Sequence, residues 1–210
     1  MVNLPAGSRV IVPNTIAHLP GWLAGQQAQD LYDQVVDQTY DFSVGQLSYF
    51  HGRRFDPGHR MCRYGAPGVT YTFKGKPKPL KPLTPALETI RQMLVSQLGV
   101  ALNTVVVNYY FDGSSGLCPH TDAAYIPQLG PQPIIIGVSF GGTRTFSLTQ
   151  DAQLDKKARM TKTCARHDLP LGHGDLLVMW GESQKDWRHG IPVEPTVTEP
   201  RVSLTFRYHH

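Results

Sequence analysis

Two stretches in the first half of the chain repeat apolar residues at helical spacing. The first spans Ala24 to Thr39 and places Ala28, Leu31 and Val35 on one face, with Tyr32 beside them. The second begins at Thr84-Pro85, a capping residue followed by a first-turn proline. It carries Leu87, Ile90, Leu94 and Leu98 before Gly99, which suits a helix stop. Beyond Gly99 the pattern changes to short apolar or alternating runs, which predict strands at Val105–Tyr110, Ile134–Phe140, Thr143–Thr149, Asp175–Met179 and Val202–Tyr208. Gln46–Phe50, Arg60–Tyr64 and Val69–Phe73 read as earlier strands or strand-like loops. The order predicts a mainly β molecule with flanking helices (α+β): an antiparallel sandwich or jelly roll backed by two N-terminal-half helices.

Composition agrees with many turns between short strands. The 210 residues include 20 Gly and 17 Pro, and only 17% are charged, against roughly 25% in an average globular protein. That excludes a coiled coil or simple helical bundle, and the 8 Phe, 9 Tyr and 3 Trp argue against disorder. Cys62, Cys118 and Cys164 are odd in number and far apart, so reduced thiols in an intracellular protein are expected, cytoplasmic or, in a eukaryote, nuclear. No apolar run is long enough for a membrane span, so no membrane partner is expected, and a monomer is the simplest assembly. The net charge of +4 permits an anionic partner without requiring one; Lys74–Pro85, rich in Lys and Pro, reads as an exposed connector and a possible basic contact strip.

Two His-x-Asp pairs occur, His120-Thr121-Asp122 and His173-Gly174-Asp175. Residues i and i+2 of a strand share a face, so either pair could hold one metal. With 9 His and 16 acidic residues in the chain, roughly 0.7 such pairs arise by chance. Gly174-Asp175 precedes the buried run Leu176–Met179 and reads as turn chemistry, with His173 a turn or rim residue. For His120 and Asp122, His189 is the best third donor. Two histidines and one carboxylate is the set used by non-haem Fe(II) oxygenases, although two ordinary histidines and a turn aspartate satisfy the spacing equally. A second constellation adds weight. Arg201, Ser203, Thr205 and Arg207 alternate with Val202, Leu204, Phe206 and Tyr208. A strand face with arginine at both ends is costly inside a sandwich unless it holds an anion, and a dicarboxylate suits guanidinium. Asn108 and Tyr110, again i and i+2, could add neutral hydrogen bonds to that guest.

From about Arg60 to Tyr208 these residues resemble the AlkB-like Fe(II)/2-oxoglutarate-dependent dioxygenases. Asn108-Tyr109-Tyr110, His120-Thr121-Asp122, Val138–Phe146, Gly174–Met179 followed by Gln184, Trp187 and His189, and finally Arg201 with Arg207 come in the family's order. The stretches around Phe140 and Arg201 look most like the nucleic-acid alkylation-repair demethylases, and Arg60, Tyr64-Gly65 and Tyr71-Thr72-Phe73 resemble their base-recognition lid. The resemblance implies a single dioxygenase domain over 1–210, with helices and a substrate lid in 1–99 and the jelly-roll core in 100–210. It implies Fe(II) on His120, Asp122 and His189. It implies 2-oxoglutarate held by Arg201 and Tyr110, with Asn108 and Arg207 holding its nearer end or ordering the site, Ser203 near it, and dioxygen as the third reactant. The implied reaction is oxidative demethylation of N-alkylated bases in DNA or RNA, releasing formaldehyde, succinate and carbon dioxide. The base would be single-stranded or flipped, and contacted by Arg60, Tyr64, Tyr71, Phe73 and Tyr125.

The chain departs from that pattern in one informative place. The demethylases carry an acid two positions after the His-x-Asp aspartate, where it reads the polar edge of the base; here that position is Ala124. An alternative function is therefore an oxygenase of the same scaffold that hydroxylates a small molecule or a protein side chain. A nucleic-acid-binding module without catalysis is a third possibility, opposed by the complete donor set. Ser203, where many relatives have Asn, is a milder change.

Overall fold

In the computed structural model, residues 2–39, 48–50, 53–55, 59–73, 75–122, 127–130, 132–150 and 165–210 are described. The elements in chain order are β1 (Arg9–Val12), β2 (Ile16–Leu19), α1 (Gly25–Thr39), β3 (Ser48–Phe50), β4 (Arg53–Phe55), β5 (His59–Gly65), β6 (Thr72–Phe73), β7 (Lys76–Pro77), β8 (Lys81–Pro82), α2 (Pro85–Leu98), β9 (Thr104–Tyr110), β10 (Leu117–His120), β11 (Ile135–Gly141), β12 (Arg144–Gln150), β13 (Arg166–Leu171), β14 (Asp175–Met179), α3 (Ser183–Asp186), β15 (Trp187–Ile191) and β16 (Arg201–Arg207). A 3-10 turn lies at Pro127–Leu129.

Eight strands form a major sheet in the order β1-β2-β14-β11-β16-β9-β5-β8, and four form a minor sheet, β10-β15-β12-β13. Pairing in both is antiparallel except for the short parallel contact of β5 with β8. This is the two-sheet jelly-roll arrangement that the strand pattern predicts. The expected division at residue 99 does not coincide with a layer boundary. β1, β2, β5 and β8 all precede residue 99 and supply half of the major sheet, and β5 pairs with β9 from His59–Tyr110 to Gly65–Thr104.

Side-chain alternation sorts the interior into two cores. On the outer face of the major sheet, Val105, Val107, Val138, Leu176, Val202, Leu204 and Phe206 pack against Leu31 and Val35 of α1 and Leu87, Ile90, Leu94 and Leu98 of α2. On the inner face, Val106, Tyr110, Ile135, Leu177 and Met179 meet Phe146, Leu148, Trp187 and Ile191 of the minor sheet. Helix α2 starts and stops as its sequence predicts: Thr84 accepts from the Leu87 amide, and Gly99 closes the helix at φ +67°. Val69–Phe73 is a shorter strand than expected, confined to Thr72–Phe73 paired with Lys76–Pro77. Ser48–Phe50 pairs with Arg53–Phe55, while Gln46 and Leu47 lie outside the described residues.

Gly174 shows why the second His-x-Asp pair is turn chemistry. It has φ +81°, and a Cβ there would stand 2.0 Å from the Leu23 carbonyl oxygen, so only glycine fits. Asp175 then turns inward and accepts from the amides of Gly21 (2.8 Å) and Gly172 (2.9 Å) and from His18 Nε2 (3.0 Å). His173 Nδ1 accepts from the Gly141 amide. Both residues hold loops together.

Candidate active site

The minor sheet brings the donor residues together through strand register. His120 ends β10 opposite His189 of β15, with ring centroids 4.4 Å apart. Two residues on, Asp122 places Oδ1 3.4 Å from His120 Nε2. One ligand atom from each of the three lies within 4.8 Å of the others, and no other such cluster occurs among the described residues.

Neighbours set the state of each donor. His120 Nδ1 lies 2.9 Å from the Cys118 carbonyl; a proton on that nitrogen satisfies the carbonyl and leaves a lone pair on Nε2. The Asp122 amide donates to Gln184 Oε1 of α3 at 2.8 Å. Arg207 donates to Asp122 Oδ2 through Nε (3.0 Å) and Nη2 (2.7 Å), so Oδ1 remains turned toward the histidines. Burial opposes ionisation of Asp122, but Arg207 and then His120 reverse the balance and hold its carboxyl well below the usual range. His189 stacks on Phe146 at 5.5 Å; burial, with His120 adding to it, pushes its pKa down to about 3. It is therefore neutral, and its Nδ1 is buried without a hydrogen-bond partner.

These shifts carry a pH prediction for the metal-free protein. The unfolded chain takes a proton at His189 below its ordinary pKa of 6.5, while the folded chain resists until about 3. His209, pushed down to about 4 chiefly by burial, has the same sign, and Asp122 adds to it at lower pH. Stability is therefore fully present above about pH 6.5 and declines as the pH falls through that window. Denaturant titrations from neutral to about pH 4 check this; a flat profile down to the carboxylate range would contradict it.

Arg144, which the sequence pattern did not single out, braces the two donor-bearing strands. Its buried guanidinium donates to the carbonyls of Asp112, Ser115 and Pro192 and pairs with Glu194 at 2.9 Å. It ties the turn before β10 to the segment after β15. Arg144→Ala strands three carbonyls and a carboxylate, and is expected to cost about 3–5 kcal/mol, read as a lower denaturation midpoint.

The donors open into a cavity of about 420 Å³ between the two sheets. The polar face of β16 forms part of its wall, with Arg201, Ser203, Thr205 and Arg207 all lining it. Arg201 is 1% exposed; Nη2 donates to Ser139 Oγ at 2.8 Å, and Nε and Nη1 have no hydrogen-bond partner. The Tyr110 ring lies 5.4 Å from its Cζ, and Asn108 Oδ1 nearby is buried without a partner. A buried cation with two idle nitrogens matches a carboxylate guest. Arg207 is committed instead to Asp122.

The expected lid residues separate by face. Tyr71 and Phe73 line the cavity. Tyr64 does not: pairing of Tyr64 with Val105 turns it into the core beneath the helices, where it is 2% exposed. Arg60 shares that face of β5 and lies 5.5 Å from the Phe111 ring. Met61 and Arg63, one residue out of phase, line the cavity in their place, opposite Asn108 and Val106. Tyr125 and Ala124 lie outside the described residues, as does Lys74. Lys76 sits across from Phe73, Lys81 is on the edge strand β8, and Arg60 lies on the face of β5 turned away from the cavity.

The model of the 2OG-Fe(II) oxygenase superfamily matches residues 15–207. The chain belongs to this superfamily. It is 33% identical over 187 residues to the DNA oxidative demethylase ALKBH2 of Mus musculus, covering 88% of this chain and 77% of that one. Identity to the ALKBH2 of Homo sapiens is also 33% over 187 residues, covering 88% and 70%. The alpha-ketoglutarate-dependent dioxygenase alkB homolog 3 of Homo sapiens is 37% identical over 123 residues, 59% of this chain and 42% of that one. The solved structure of OsALKBH1 shares the fold, with a TM-score of 0.58 at 17% identity over 96% of this chain and 100% of that one. The chain is thus an AlkB-like 2OG-Fe(II) oxygenase, as its motif order implied. Among its described residues no helix is long and apolar enough to cross a membrane.

Proposed function

We propose that the protein is an Fe(II)- and 2-oxoglutarate-dependent oxidative demethylase of N-alkylated bases in nucleic acid. The observation that carries this reading is the pairing, within one cavity, of a three-donor cluster with a buried arginine whose Nε and Nη1 are idle. The names of the ALKBH2 relatives support the substrate class.

The donor set fits Fe(II): His120 and the neutral His189 present ring nitrogens, and Asp122 offers an anionic oxygen. Arg201, braced by Ser139 and flanked by Tyr110, fits the distal carboxylate of 2-oxoglutarate, with Asn108 and Ser203 closer to the donors' end of the guest. Arg207 keeps Asp122 ionised and fixes which oxygen faces the histidines. Bound there, iron and 2-oxoglutarate with dioxygen supply the oxidation that turns an N-methyl into a hydroxymethyl, which leaves as formaldehyde alongside succinate and carbon dioxide. The protein positions and encloses: the apolar walls Leu117, Phe146, Leu171 and Ile191 keep water away. Tyr71 and Phe73 are the aromatic faces available to a base that has left its stack, because a base inside a duplex cannot enter a space between two sheets.

Mass spectrometry of nucleosides from methylated DNA and RNA, incubated with the protein, Fe(II) and 2-oxoglutarate, tests the proposal. Loss of at least one N-methyl nucleoside is expected. If every methylated strand stays intact while a small molecule or a peptide is hydroxylated, the substrate assignment is wrong and the oxygenase chemistry stands.

A further inference from the structure

Tyr71 lines the cavity, and His209 stacks on Tyr71 with ring centroids 5.0 Å apart and planes 23° from parallel. His209 follows Arg207 at the same two-residue spacing that sets Arg201, Ser203, Thr205 and Arg207 on the cavity side of β16. The strand itself ends at Arg207, and Asn103 takes over the anchoring from there. The Asn103 side chain donates to the His209 carbonyl and accepts from the His209 amide, both at 2.8 Å, the exchange a neighbouring strand would make. The main chain of Asn103 is bonded on both sides as well, its amide to the Arg207 carbonyl at 3.0 Å and its carbonyl to the Ala66 amide at 2.9 Å. One residue therefore ties the segment after β16 to the segment that leads toward Tyr71. The His209 ring is 4% exposed; its Nδ1 lies 3.4 Å from the Thr70 carbonyl, and its Nε2 has no hydrogen-bond partner. One long hydrogen bond and one unsatisfied nitrogen make the stack on Tyr71 the main contact that this imidazole supplies.

Tyr71 benefits from such support. Its carbonyl accepts from the Lys78 amide at 2.9 Å, just before the two-residue strand β6. That bond holds the main chain and leaves the ring torsions to be set by side-chain packing. A ring that must be ordered when its guest arrives lowers the affinity for that guest, and a ring already held does not. We propose that His209 is a positioning residue for the substrate base: anchored by Asn103, it holds the Tyr71 ring in the cavity wall, oriented to stack on an N-alkylated base that has left its strand. The inference rests on the demethylase reading and deepens it, because it names what keeps the stacking face in place. His209 acts through Tyr71 and touches neither the base nor the reacting atoms.

The test uses the full chain and a single-stranded oligonucleotide carrying one 1-methyladenine, 3-methylcytosine or 3-methylthymine, whichever the native protein turns over fastest. Turnover is read by nucleoside mass spectrometry, and binding to the iron-free protein by fluorescence anisotropy. His209→Leu fills the same space without an aromatic face. It is expected to raise the KM for the methylated strand about tenfold, the scale of one lost base–aromatic stack, with kcat, the KM for 2-oxoglutarate and the affinity for Mn(II) close to native. His209→Phe, which restores a stacking face, recovers the native KM. Tyr71→Leu gives a rise similar to that of His209→Leu, and combining the two adds nothing further, because one acts through the other. Anisotropy follows the same order. If His209→Leu does not fold, His209→Gln takes its place. An unchanged KM in His209→Leu, a parallel loss in kcat and in both KM values, additive effects in the double variant, or no recovery in His209→Phe each overturns the inference and leaves the demethylase reading intact. Failure of the native protein to turn over any of the three methylated strands, or to bind them better than the unmodified strand, overturns both.

Discussion

Asp122→Ala and His120→Ala are expected to abolish turnover, but with different physical signatures. Each removes one of three donors that lie within 4.8 Å of one another, so metal affinity collapses in both. Asp122 is also the counter-ion of Arg207, at 2.7 Å, with both side chains buried. Its removal leaves a buried guanidinium uncompensated, at a cost of about 3–5 kcal/mol. His120, by contrast, is partly exposed and has one backbone contact to lose. Thermal unfolding of the metal-free variants should therefore show a large fall in Tm for Asp122→Ala and a small one for His120→Ala. Equal falls would mean that the pair with Arg207 contributes little to stability.

Arg201→Ala should raise the KM for 2-oxoglutarate by about a hundredfold or more, the scale of truncating one partner of a buried, hydrogen-bonded charge pair. The guanidinium is almost fully enclosed, and truncation removes its hydrogen bond to Ser139 and its contact with Tyr110, two uncharged partners, whereas Asp122→Ala unpairs the charge of Arg207. The fold should therefore tolerate the change better than it tolerates Asp122→Ala. Arg201→Lys keeps the charge but not the two-pronged geometry, and should recover part of the loss. An unchanged KM in Arg201→Ala would place the co-substrate elsewhere in the cavity.

How far these features can be read from residues alone varies along the chain. Strict alternation in Arg201–Arg207 already separates a core face from a polar face, and the structure divides that strand in the same way, with the polar face lining the cavity. Thr84, Pro85 and Gly99 bound α2 by local chemistry and need no tertiary context. The lid is different. Arg60 and Tyr64 are four apart and do share a face of β5, but alternation does not say which face is inward. Pairing with β9 decides it, and puts Met61 and Arg63 in the cavity. Strands β1 and β15 were not evident, because Arg9–Val12 and Trp187–Ile191 are four and five residues long and do not alternate clearly. Arg144 is invisible in the same sense: three of its four partner groups are backbone carbonyls, brought to it by chain segments some 30 to 50 residues distant.

The central claim is tested most directly by a product balance. Formaldehyde and succinate are measured together as the protein, Fe(II), 2-oxoglutarate and dioxygen act on an N-methylated oligonucleotide and on its unmethylated twin. The account predicts equal amounts of both products, matching the methyl groups lost, with formaldehyde absent from the unmethylated strand. Succinate released at the same rate from both strands, without formaldehyde, would contradict it.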